Sequence, residues 1–120
     1  GINYSEIDDR SGCSFKKVLK ELKSKKRRKT LHYSWYVFPQ PYTSKGKSKT
    51  SKRFFLNDSE TIEYLKNKTL KSHLFQTLKA IKSKNFKTKK EFIDYFGFVD
   101  YMKFLSFCHH FMKPKFKKYL

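Results

Sequence analysis

The sequence predicts an all-α fold, a single compact bundle of about four to five helices with at most one short extended aromatic segment. Three observations predict it. Apolar residues recur at helical spacing over 15–22, 70–81 and 101–112. Two stretches open on a capping-box pattern, Asn57 with Glu60 and Thr88 with Glu91. Helix stops fall between them, at Pro39, Pro41, Gly97 and Pro114. A chain of 120 residues defaults to one domain and can bury one core. The expected division is an N-terminal arm, 1–12, and a helical domain, 13–120, with a basic loop at 41–53.

In chain order, Phe15, Val18, Leu19 and Leu22 fall at i, i+3, i+4 and i+7, with lysines on the opposite face. That helix is expected to end near residues 26–29, where cations suit the C-terminal dipole. The aromatic segment His32 to Phe38 fits a strand by propensity and a helix by the spacing of Leu31, Trp35 and Phe38. Residues 41–53 carry no apolar period and are expected to be loop. Asn57 opens a helix carrying Ile62 and Leu65, followed by a stripe of Leu70, Leu74, Leu78 and Ile81. Thr88 opens the next, with Phe92 and Phe96, and Gly97 ends it. Asp100 can cap the last helix, whose expected core stripe is Tyr101, Phe104, Leu105, Cys108, Phe111 and Met112. With 13 Phe and 8 Tyr, rings can build the core that an apolar fraction of 38% would not suggest.

Charge is the second theme. The formal net charge is +19. It concentrates in residues 13–53, where fourteen Lys or Arg face one acid, Glu21. Codon bias of an AT-rich genome, viral or microbial, accounts for Lys over Arg but not for Lys over Asp and Glu. Such an excess costs self-repulsion and favours a polyanionic partner. The tract Lys25, Lys26, Arg27, Arg28, Lys29 resembles a nuclear-localisation or nucleic-acid patch, or else is a solvated helix end. A second tract holds Lys45, Lys47, Lys49, Lys52 and Arg53. Between them the aromatic segment is either a core element or a stacking surface for bases.

Other chemistry is sparse. No run approaches the length of a transmembrane span, so no membrane partner is expected. The polar first residues, GINYSEIDDR, lead us to expect no secretory signal. Cys13 and Cys108 are expected as free thiols in a reducing, intracellular compartment, with nucleus or virion as candidate locations. In Cys108-His109-His110 adjacent helical positions point about 100° apart, so convergence on a metal is not expected. Cys108 is expected in the core, and the histidines exposed or half-buried. No glycine-rich phosphate motif is present, and no cofactor is expected.

Read in order, VLKELKSKKRRK, HYSWYVFPQ, Gly46 with Ser48, the Glu60/Tyr64/Leu65 helix and the tail Phe96, Gly97, Asp100, Lys103, Ser106 and Phe111 carry a resemblance over about residues 15–112. The chain resembles the family of small, largely bacterial proteins known as domain of unknown function 1810. It matches the family's HWMWFIFPQ-like signature at His32, Trp35, Phe38, Pro39 and Gln40 and departs from it at Tyr33 and Ser34. The resemblance implies an all-α single domain and supplies no activity. Polar residues in such a signature suggest a pocket, with His32, Trp35, Gln40, Gly46, Ser48, Asp100, Lys103 and Ser106 as candidates. Gln40, His32 and Asp100 serve equally as partners of local backbone groups. The leading expectation is sequence-independent binding of nucleic acid or another polyanion. The alternatives are an enzyme or binding protein for a nucleotide-like ligand, and a basic subunit of a larger assembly.

Overall fold

The computed structural model describes residues 15–30, 33, 37–41 and 55–120. The expected arm at 1–12, nearly all of the loop 41–53, and the candidates His32, Trp35, Gly46, Ser48, Lys45, Lys47, Lys49, Lys52 and Arg53 lie outside the described residues. Among those described the protein is all-α. The helices are α1 (Phe15–Leu22), α2 (Asp58–Lys66), α3 (Lys68–Ser83), α4 (Lys89–Phe96), α5 (Phe98–Phe111) and the single turn α6 (Pro114–Lys117). The only pairing of extended backbone among them is one isolated parallel bridge, Pro41 to Leu56.

Local chemistry sets the boundaries. Asn57 accepts from Glu60 N at 2.8 Å and its own N–H donates to Glu60 Oε1 at 3.0 Å, so the box that opens α2 is complete. At α4 Thr88 accepts from Glu91 N, but the Glu91 carboxylate reaches Lys87 N, one residue before the cap. Gly97 serves two helices. Its N–H donates to Ile93 O at 2.7 Å to close α4, and at φ 91° it turns the chain directly into α5. The cap of α5 is therefore Gly97, and Asp100 sits inside the first turn with a different task.

The first helix stops earlier than expected, at Leu22 rather than near 26–29. Ser24 Oγ donates to Glu21 O at 2.6 Å, and Thr30 donates both N–H and Oγ–H to Glu21 Oε1 at 2.5 Å. These bonds draw the chain back on itself, and four consecutive exposed cations at 25–28 add no packing to hold a helix together. In the aromatic segment Val37 N donates to Tyr33 O at 3.0 Å, four residues back along the chain.

The core is one cluster in which rings dominate. Val18 and Leu22 of α1, Tyr64 and Leu65 of α2, Leu74, Ala80 and Ile81 of α3, Phe92, Tyr95 and Phe96 of α4, Phe107 and Phe111 of α5 and Phe116 of α6 meet there with Tyr33, Val37, Phe38 and Leu56. Phe38 is fully buried, with the rings of Phe104 at 5.2 Å and Phe96 at 5.7 Å, both edge-on. Helix α3 packs on α1 and α2, α6 on α2, and α4 on α5. The face of α5 differs from expectation. Phe107 is buried, whereas Leu105 and Met112 point outward. With Phe98, Val99 and Met102 also present, α5 is apolar on almost every side, so periodicity could not say which side turns inward.

Candidate functional site

Two features occupy the region between the end of α1 and the start of α5. The first is the turn at 23–30. Because Glu21 is buried and bonded to Thr30, the residues between loop outward, and Lys23, Lys25, Lys26, Arg27 and Arg28 are exposed. On α1 itself Lys16, Lys17 and Lys20 are exposed as well. The acid that would offset them, Glu21, does not reach the surface.

Lys29 behaves differently from its four predecessors. Its N–H donates to Tyr95 O at 2.9 Å, which turns the side chain inward. There Nζ donates to Asp100 Oδ2 at 2.6 Å, with both side chains almost fully withdrawn from solvent, and lies 5.0 Å above the centre of the Tyr33 ring. The second feature is the seat of the Phe38-Pro39-Gln40 turn on α5. Gln40 is buried, and its Nε2 donates to Phe38 O at 2.7 Å and to Lys103 O at 2.8 Å. Its main-chain carbonyl accepts from Leu56 N at 2.9 Å, which ties Leu56 to the same point.

Gln40 thus meets the main chain of Lys103, while Lys29 and Asp100 pair with each other and both act on the charge of Lys103. Lys103 is half-buried. Burial pushes its pKa down, Asp100 opposes that shift, and Lys29 reinforces it. Among the described residues no hydrogen bond or ion pair engages its Nζ. Ser106 is half-buried less than one turn further along α5.

Sequence reasoning missed a buried polar cluster below the basic turn. Tyr33 and Tyr95 are buried with hydroxyls that meet no partner at hydrogen-bond geometry, close to each other and to Glu21. Burial pushes both phenols upward, Glu21 adding to the effect. Lys84 Nζ sits 4.2 Å over the Tyr95 ring. The available signal was Glu21 itself, one acid in a cationic stretch, which is where an internal partner is more informative than a surface one. His110 was missed too. It is buried, not exposed or half-buried, and meets Thr61 Oγ1 through Nε2 at 2.9 Å, whereas His109 is exposed and Cys108 half-buried. Between α3 and α1, His73 stacks on Phe15 at 3.7 Å.

Among the described residues no three His, Cys, Asp or Glu side chains come together as metal ligands. Nor is any described helix long and apolar enough to cross a membrane. No curated protein and no solved structure matches the chain. A family model described as Protein of unknown function (DUF1810) matches residues 5–119, nearly the whole length, and the chain belongs to that family.

Proposed function

We infer that this protein binds a polyanion, nucleic acid in the first place, through phosphate contacts that do not depend on sequence. One observation carries the reading. Between residues 16 and 28 every Lys and Arg is exposed, while the one acid, Glu21, is buried and bonded to Thr30. The surface of this segment therefore presents eight cations and no anion. A patch of that sign raises the local concentration of polyanion and releases counterions when phosphates replace them. The basic tract Lys45, Lys47, Lys49, Lys52 and Arg53 belongs to the same reading. Contacts of Lys and Arg to phosphate position a ligand without reading bases. Titration of labelled duplexes of unrelated sequence should give equal affinities, with log K falling against log salt at a slope of about −4 to −5 if some four to six phosphates are neutralised. Absence of binding at low salt rejects the reading.

A second reading rests on Lys103. A half-buried ammonium that has no hydrogen-bonded partner among the described residues, beside an ion pair that is already satisfied, suits one anionic group of a small nucleotide-like ligand. Thermal-shift measurements with mononucleotides should then show stabilisation that Lys103→Met abolishes and that the exposed cations at 25–28 do not influence. Equal shifts in wild type and Lys103→Met return that lysine to a structural role.

A further inference from the structure

The outward face of α5 is the most unusual surface in a chain of this charge. Phe98, Val99, Met102, Leu105 and Met112 are exposed there, at 60, 67, 48, 41 and 52% of their full areas. With His109, which is also exposed, the positions 98, 102, 105, 109 and 112 advance in steps of four and three. That spacing draws a straight seam along one side of a helix, the pattern by which one helix packs on another. The opposite side of α5 is accounted for, since Phe107 and Phe111 lie in the core.

Two further properties point to the occupant. First, no Lys, Arg, Asp or Glu stands at 98, 99, 102, 105, 106, 109 or 112, although the chain carries 29 cations and a net charge of +19. Self-association of such a chain requires a face on which lysines do not meet, and this one meets the requirement. Second, the seam is nearly symmetric about Leu105, with Phe98 seven residues before it and Met112 seven after, Met102 three before and His109 four after. Two copies related by a two-fold axis through Leu105 would set Leu105 against Leu105, Phe98 against Met112 and Met102 against His109. The exposed apolar area is on the order of 500 Å², at the upper end of what monomers leave uncovered. Two such faces together approach the roughly 1,000 Å² that a specific interface needs, and Ser106 at the margin adds to it.

We propose that this face of α5 is a homodimer interface, in which two copies pair antiparallel about Leu105. The two chains repel each other through their lysines, and salt screens that repulsion within about 10 Å at 0.1 M. Dimerisation therefore strengthens with salt, whereas polyanion binding weakens, so the two behaviours are separable in one protein.

Sedimentation equilibrium of the full chain at about 0.1 M and about 0.5 M salt tests this. The expected result is a monomer–dimer equilibrium that shifts towards dimer at the higher salt. Leu105→Glu, a surface change that leaves the melting temperature near that of wild type, should weaken association at least about a hundredfold by apposing two carboxylates. In a Cys13→Ser, Cys108→Ala background, Leu105→Cys should oxidise to a covalent dimer. Phe98→Cys should do so only when mixed with Met112→Cys. A monomer at every concentration, association unchanged by Leu105→Glu, or Phe98→Cys linking to itself as readily as Leu105→Cys would overturn the proposal. So would a chain that stays monomeric and instead binds anionic vesicles through the same residues.

Discussion

Thr61 has one hydroxyl proton, and it goes to Asn57 O at 2.8 Å. The 2.9 Å contact between Thr61 and His110 is therefore filled by a proton on Nε2. That leaves Nδ1 an unprotonated nitrogen, buried with no partner. Burial first, then Lys113, pushes the pKa of His110 down to about 4. An unfolded imidazole binds its proton near 6.5. Between these values the unfolded chain holds a proton that the native one refuses, so stability falls as pH drops from about 6.5 to about 4. Urea melts at pH 7 and pH 4.5 should differ by roughly 2 kcal/mol more in wild type than in His110→Gln. Equal losses in the two proteins contradict the assignment. The Lys29–Asp100 pair makes a second residue-scale prediction. Asp100→Asn leaves an ammonium buried without its counter-charge and should cost about 3 kcal/mol, while Lys29→Met with Asp100→Leu should cost much less than the two single changes together. Little of this was legible in sequence. Asp100 reads as a cap because it stands near the start of a helix, and only the fold brings Lys29, 71 residues away, within 2.6 Å of it.

At the scale of elements, the sequence marks where helices begin better than which way they face. Asn57, Thr88 and Gly97 are local devices whose partners lie within four residues, and all three stand at the ends where their chemistry puts them. The orientation of α5 is not local, because its apolar residues surround the axis and only packing against Phe38 and α4 chooses a side. The end of α1 differs from expectation for a related reason. Nothing in a run of cations stops a helix by itself, and the stop comes from Glu21 reaching nine residues ahead to Thr30. The seating of the Phe38-Pro39-Gln40 turn on α5 is an element-scale joint that can be tested. Gln40→Ala removes both donors from the carbonyls of Phe38 and Lys103 and should cost about 1–3 kcal/mol in denaturant unfolding. Gln40→Glu, which offers an acceptor where donors are needed, should cost more, and a neutral effect of both would show that the joint does not hold the turn.

For the whole molecule, charge is arranged in two layers. Inside, one acid on α1 and one on α5 engage Thr30 and Lys29. Outside, among the described residues, most of the lysines remain, and four acids are drawn into local work, Asp58 with Lys115, Asp94 with Lys90, Glu60 and Glu91 at helix starts, while Glu63 is exposed. Exposed pairs of this kind contribute little to stability, so they do little to offset the self-repulsion of the cation excess. On the proposed reading, a polyanion that engages the segment 16–28 offsets that repulsion. The sequence shows the size of this excess plainly, but it does not show that Glu21 is withdrawn from it or that Lys29 is taken inside. The most direct test compares salt dependence in wild type and in a variant with Lys25, Lys26, Arg27 and Arg28 all replaced by Gln, leaving Lys29 in place. If these four residues touch phosphates, the slope of log K against log salt on duplex DNA flattens by about 3 to 4 while the melting temperature is retained. A slope unchanged by the four replacements contradicts the account.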